Sequence, residues 1–240
     1  MTAVESVDLE VATNEVVAMV GASGCGKTTL LRIVAGLTAP TSGEVLVDDS
    51  PVWVADRPDR DVIGSLAIVF QESNLLPWYT VDANIALPLR MRGVPKVERL
   101  ARARELCELT GLGGFEKMRP AALSRGMKQR ASLARALVAS PRLVLLDEPF
   151  ASLDSLTRDA MNLELQRVWL HKPSTAILVT HSIIEAVMLA DRVVTLSPRP
   201  ARVVGSVDVP FARPRPLEVQ YTTEFQDIVH TVRDQLAEAP

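Results

Sequence analysis

Residues 21–28, Gly-Ala-Ser-Gly-Cys-Gly-Lys-Thr, fit the pattern G-x-x-x-x-G-K-[ST] at every fixed position. Such a stretch cradles phosphates. Its glycines let the chain wrap closely enough for backbone N–H groups to point inward, and a helix starting at its end adds a positive dipole terminus. Lys27 can reach the β- and γ-phosphates of a nucleoside triphosphate, and the Thr28 hydroxyl can ligate Mg2+. A second pair, Asp147-Glu148, closes the apolar run Leu143-Val144-Leu145-Leu146. Carboxylates at the carboxyl end of a buried strand lie where ligands bind in open α/β sheets. Asp147 suits metal coordination, directly or through water. Glu148 suits a general base that orients and deprotonates an attacking water.

These groups need elements to hold them. Val16–Val20 reads as a buried strand leading into the phosphate loop, and Thr28–Leu37 as the helix leaving it, with Leu30, Leu31, Val34 and Leu37 on one face. Further strands are expected near 44–47, 66–70, 143–147, 176–180 and 193–196, alternating with helical or irregular stretches as in a parallel βαβ sheet. Residues 74–140 interrupt that alternation. There Val97–Thr110 sets Leu100, Ala103, Leu106 and Leu109 against Glu98, Arg99, Arg102, Arg104 and Glu105, an amphipathic helix with a solvated charged face. His181 follows the strand-like 176–180 and precedes a helix opened by Ser182 with Glu185 three positions on, a capping-box pattern. Glu218–Leu236 reads as a closing helix.

Leu123-Ser124-Arg125-Gly126-Met127-Lys128-Gln129-Arg130 runs into an alanine- and leucine-rich helix. This segment resembles the signature motif of the ATP-binding-cassette (ABC) ATPases. In the family's order, Gln71 resembles the Q-loop, Ser152-Leu153-Asp154 the D-loop and His181 the switch histidine, so the resemblance covers nearly the whole chain. It implies an α/β fold, a P-loop NTPase (RecA-like) parallel-sheet core with an inserted α-helical subdomain. The core would comprise 1–73 and 141–210, the subdomain with the signature 74–140, and a C-terminal extension 211–240. Gly21, Ala22, Ser23, Gly24, Cys25, Gly26, Lys27, Thr28 and Thr29 would bind ATP, with Ser124 and Gly126 reaching the nucleotide of a second copy. Thr28, Gln71 and Asp147 would hold Mg2+, and Glu148, His181 and Gln71 would serve catalysis. The pattern departs from the family at Arg125, where a glycine is usual, and residues 1–52 hold no aromatic to stack on adenine.

Leu75-Leu76-Pro77-Trp78, after Gln71, makes an apolar cluster of the kind found at interfaces. With Ala86-Leu87-Pro88-Leu89 and Leu196-Ser197-Pro198-Arg199-Pro200, it resembles the nitrate/sulfonate/taurine importer branch. The implied partners are a second copy in a head-to-tail, ATP-sandwiched homodimer, integral membrane permease subunits and, indirectly, a solute-binding protein. A hydrolysis-impaired nucleotide module and a soluble non-transport ABC ATPase are the alternatives. Composition narrows the field. A formal net charge of −3 offers no electrostatic case for nucleic acid. No apolar stretch approaches the roughly 18 residues that span a bilayer. A cytoplasmic location, peripheral on the inner face of the cell membrane, is the expectation. Cys25 and Cys107 suggest no disulfide framework. Cys25 reads most simply as a small residue filling a permissive loop position.

Overall fold

The computed structural model describes residues 2–239. In chain order the elements begin with β1 (Val4–Ser6), β2 (Val16–Val20) and α1 (Lys27–Val34). Two short hairpins follow, β3 (Leu46–Val47) with β4 (Ser50–Pro51) and β5 (Trp53–Val54) with β6 (Arg57–Pro58), then α2 (Arg60–Ile63) and β7 (Leu66–Val69). A helical stretch contains α3 (Val81–Ile85), α4 (Leu87–Met91), α5 (Lys96–Leu109) and α6 (Arg125–Leu137). The chain then returns to β8 (Leu143–Asp147), α7 (Ser155–His171), β9 (Thr175–Thr180), α8 (Ile183–Leu189), β10 (Arg192–Leu196), β11 (Ala201–Asp208) and α9 (Thr223–Glu238).

One sheet runs in the order β1-β11-β10-β2-β9-β8-β7. From β10 to β7 all neighbours are parallel, whereas β11 is antiparallel to β10 and β1 is parallel to β11. Parallel strands are covered on both faces and so read as unbroken apolar runs; β2 is buried at every position. Alternation along the strands divides the core. Val17, Met19, Leu143, Leu145, Ile177 and Val179 pack around Leu31 of α1. Val16, Ala18, Val20, Val144, Leu146 and Leu178 face the larger core, which takes side chains from α6, α7, α8 and α9. Because β2, β9 and β8 are neighbours, the loops that leave them open on the same edge of the sheet.

The structure revises several sequence-based boundaries. α1 stops at Val34 rather than Leu37, because Gly36 turns the chain at φ +72° and a Cβ there would lie 2.5 Å from Ile63 Cγ2. Leu37 is left 59% exposed. The strand expected over 44–47 shrinks to Leu46–Val47 and pairs with Ser50–Pro51 outside the main sheet. β11 occupies a stretch with no strand expectation. Its Gly205 leaves room for the Gln235 amide, which a Cβ there would meet at 2.2 Å and push aside. The closing helix is split: a 3-10 turn covers Leu217–Tyr221, and α9 starts after Thr222, whose hydroxyl accepts the Phe225 N–H. α9 places Phe225, Val229 and Val232 in the larger core. The segment before it is anchored by Arg215, 1% exposed, which donates to the Val187 and Ala190 carbonyls at 2.7 Å. Residues 1 and 240, the outer ends of the expected ranges, lie outside the described residues.

Candidate functional site

The loop after β2 curls around its own lysine. Lys27 is 4% exposed, and its ammonium donates to the Gly21 and Ala22 carbonyls at 2.8 and 2.9 Å. Gly24 and Gly26 adopt φ +77° and +126°, and a Cβ on Gly26 would lie 2.8 Å from the Ala3 carbonyl oxygen. That curl therefore needs glycine. No side chain caps α1 at Gly26. Its first amides, with the rim of Ala22, Ser23 and Gly24, remain open to an anion. Thr29 lies half-buried in the first turn. Cys25 is 1% exposed, with its sulfur 3.8 Å from Lys27 Nζ, and fills the inside of the loop.

The Thr28 hydroxyl donates to Asp147 Oδ1 at 3.0 Å. Two adjacent ligands of an octahedral Mg2+ lie about 2.9 Å apart, given metal–oxygen distances near 2.05 Å. The pair therefore fits that ion. No cluster of three or more His, Cys, Asp or Glu suited to a metal occurs among the described residues. An ion here would complete its shell from phosphate oxygens and water, the usual arrangement for Mg2+. Burial pushes the Asp147 pKa up and the Glu148 charge adds to this, while the Thr28 hydrogen bond and the Arg32 and Lys27 charges pull it down; the net direction is upward.

Glu148 follows immediately, at φ +45°. Its N–H donates to the Val179 carbonyl of the adjacent β9 at 2.8 Å, and its Oε2 lies 3.0 Å from His181 Nδ1. The imidazole is 55% exposed and the carboxylate 25%. An acid and an imidazole thus face the sheet edge side by side, one from each of two neighbouring strands. Beyond His181, the capping pattern is half formed. Ser182 Oγ accepts the Glu185 N–H at 3.2 Å, but the Glu185 carboxyl turns to the Thr180 hydroxyl instead of returning to the Ser182 amide. That amide donates to Thr180 Oγ1 at 3.0 Å.

Ser124 is the N-cap of α6, its Oγ accepting the Met127 N–H at 3.2 Å, so its own proton is free to donate outward. Gly126 is buried, and a Cβ would come within 3.0 Å of Thr157 Cγ2. The absent side chain lets α6 approach α7. Both residues belong to the helical stretch, and the structure does not join them to the phosphate loop by a hydrogen bond among the described residues. Gln71 is exposed just beyond β7. The segment that follows it is gripped from α6: Gln129 donates to the Phe70 carbonyl at 3.2 Å, and Arg135 donates to the Ser73 and Asn74 carbonyls, both at 2.8 Å. Sequence reasoning missed this clamp and also Asn84, whose buried amide holds Leu76 N at 2.8 Å and the Thr80 carbonyl at 3.1 Å. A polar residue inside the apolar pattern of α3 is the signal that could have revealed it. Leu75 and Leu76 are half-buried, whereas Trp78 is 64% and Met91, at the end of α4, 81% exposed.

A loop wound around Lys27, with the Thr28–Asp147 pair joining it to the carboxylate-bearing end of β8, defines the class as a P-loop ATPase. What sets this chain apart within the class is α6 and its Ser124 cap. The family profile described as ABC transporter matches residues 4–151, and the chain belongs to the ABC transporter family as one of its ATP-binding, ATP-hydrolysing cassettes. It is 42% identical to an uncharacterised ABC transporter ATP-binding protein of Methanocaldococcus jannaschii over 98% of this chain and 85% of that one. It is 47% identical to a taurine import ATP-binding protein of Burkholderia thailandensis, over 89% of this chain and 79% of that protein. Among solved structures it resembles the dimeric post-hydrolysis state of the ATP-binding cassette MJ0796 bound to ADP and Pi. The TM-score is 0.74 at 30% identity, covering 88% of this chain and 92% of that one. No helix of the described residues is long and apolar enough to cross a membrane.

Proposed function

We propose that this chain is the ATPase subunit of an importer, driving uptake of a small solute of the nitrate, sulfonate or taurine kind through separate membrane subunits. The observation that carries the reading is the convergence of the Lys27 loop, the Thr28–Asp147 pair and the Glu148–His181 pair on one sheet edge. The loop residues 21–29 hold the triphosphate. Thr28 and Asp147, with Gln71 just beyond β7, would hold Mg2+, which would supply charge neutralisation to the phosphates. Glu148 accepts a proton from water as the water oxygen bonds to the γ-phosphorus and the bond to the ADP oxygen breaks. His181 keeps that carboxylate oriented and contacts the γ-phosphate.

Ser124 and Gly126 of a second copy close over the same phosphate, giving a head-to-tail homodimer with two ATP molecules between. The exposed Trp78 and Met91 give the permease subunits an apolar surface to grip. Binding there would place the chain peripherally on the inner face of the membrane. The solute class rests on relatives named for taurine import and on a 43% identical bicarbonate transport ATP-binding protein of Synechococcus elongatus, of which this chain spans 33%. Phosphate release by the purified chain with Mg-ATP tests the chemistry. An inactive protein would count against it, and loss of taurine or sulfonate uptake in a strain lacking the gene would test the solute class.

A further inference from the structure

The seam between α7 and α8 contains polar groups that this chemistry leaves unused. Arg158, Asn162 and Gln166 recur at four-residue spacing on α7 and so share one face. Asn162 and Gln166 are 3% and 0% exposed. Across the seam, Glu185 of α8 is 4% exposed. One of its oxygens is bonded to the Thr180 hydroxyl, while the other, Oε1, is buried without a partner. Arg158 mirrors it: Nη2 donates to the Leu153 carbonyl at 3.0 Å, while Nε is buried without a partner. Burial raises the Glu185 pKa, and the Thr180 hydrogen bond and the Arg158 charge work against that rise. A buried donor and a buried acceptor of opposite charge, each with one atom unpaired on two helices packed against each other, mark a pair that direct contact would satisfy.

The two ends of this pair lead to functional loops. Thr180 immediately precedes His181, and its hydroxyl also receives the Ser182 N–H. Leu153 lies between Ser152 and Asp154, in the loop that opens α7. We propose that Glu185 and Arg158 are positioning residues that join directly, Oε1 to Nε, when the ATP-loaded cassette closes, and thereby tie the 152–154 loop to the placement of His181 beside Glu148. This role rests on the hydrolysis reading above.

A double-mutant cycle on the full chain tests it: wild type, Glu185→Gln, Arg158→Gln and the double variant, each assayed for phosphate release and melting temperature. Each single variant should lower kcat roughly 10- to 100-fold, as small misplacements of catalytic groups do, with KM for ATP nearly unchanged. The double variant should be no slower than the slower single one. Losses that multiply, or well-folded single variants with wild-type kcat, overturn the pair. If Glu185→Gln does not fold, Thr180→Val removes the hydroxyl linking Glu185 to the histidine loop and must show the same kcat loss; wild-type turnover in it overturns the proposal. A wild-type protein that releases no phosphate, or a His181→Ala variant at full rate, instead strikes the hydrolysis reading and the proposal with it. Activity with multiplicative losses strikes the pair alone.

Discussion

Glu148 holds a left-handed backbone, which costs a residue with a Cβ on the order of 1–3 kcal/mol. The conformation persists because its N–H is fixed to Val179, and it turns the carboxylate toward His181. Glu148→Gln keeps the shape and the hydrogen bonding but cannot take a proton. Turnover should fall roughly 10²–10⁴-fold with ATP binding retained, and near-wild-type kcat would remove Glu148 from the role of base. Lys27→Ala should weaken ATP binding itself, which titration of a fluorescent analogue would show. Arg125 is a separate matter. It is exposed beside a cavity lined by Gln71, Glu72, Lys128 and Ser152, and it forms no hydrogen bond or ion pair among the described residues. Ser124 keeps its cap despite this neighbour. Arg125→Gly should therefore change the ATPase rate by no more than a few-fold; a large gain would reveal an impaired cassette, and a large loss would place the guanidinium in the site.

At the level of elements, β2 and β8 were legible as unbroken apolar runs because both faces of each are covered, and α6 was legible from Ser124 and the Ala-Leu pattern behind it. β11 was not. It carries Arg202, Gly205 and Ser206, is only partly covered, and its pairing with β10 is non-local, so no periodicity advertises it. The phosphate loop and the carboxylates could be read from types and spacing, but the Glu148–His181 contact depends on β8 lying next to β9, which sequence order alone does not give. The junction of α3 with the 116–118 segment was likewise hidden. There Asp82 is buried, with Lys117 Nζ at 2.5 Å and the Thr80 hydroxyl at 2.5 Å. Burial alone would raise its pKa, but Lys117, Thr80 and the Ala83 amide outweigh this and hold it below the ordinary value. A depressed carboxylate stabilises the fold above its unfolded pKa, about 3.9, and loses that contribution as pH falls through the folded value. Lys117→Met should cost roughly 1–3 kcal/mol at neutral pH, near the lower end because Lys117 is 69% exposed. The gap between variant and wild type should begin to narrow below pH ~4 and close only once pH has fallen through the lowered folded value. Urea melts at neutral pH and through a descending acid series would check both, and a gap that did not narrow anywhere along that series would contradict the assignment.

For the whole molecule, the proposed sandwich makes the site half of a composite. Ser124 and Gly126 sit on the helical stretch, away from the Lys27 loop that they would serve in another copy. Glu148→Gln should therefore be monomeric without nucleotide and dimeric with Mg-ATP, since blocked hydrolysis holds both phosphates in place. Light scattering at saturating ATP, with binding confirmed separately, would show it, and a persistent monomer would count against the sandwich for the isolated chain. Burial of Cys107 in the helical stretch, with the Glu116, Asp82 and Glu108 charges, pushes its thiol up to about 12. Thiol reagents should leave it untouched until this part of the molecule opens.

The grip of Arg135 on the Ser73 and Asn74 carbonyls has a mechanical meaning. Arg135 and Ser124 stand at opposite ends of one helix, separated by about 16 Å of stiff rod. The loop bearing Trp78 is fastened near one end of that rod, and the serine cap forms the other. The clamp thus ties the Ser73–Asn74 segment, four residues before Trp78, to the same stiff rod whose far end carries the Ser124 cap, so that a displacement of that segment would bear on the serine along the helix axis.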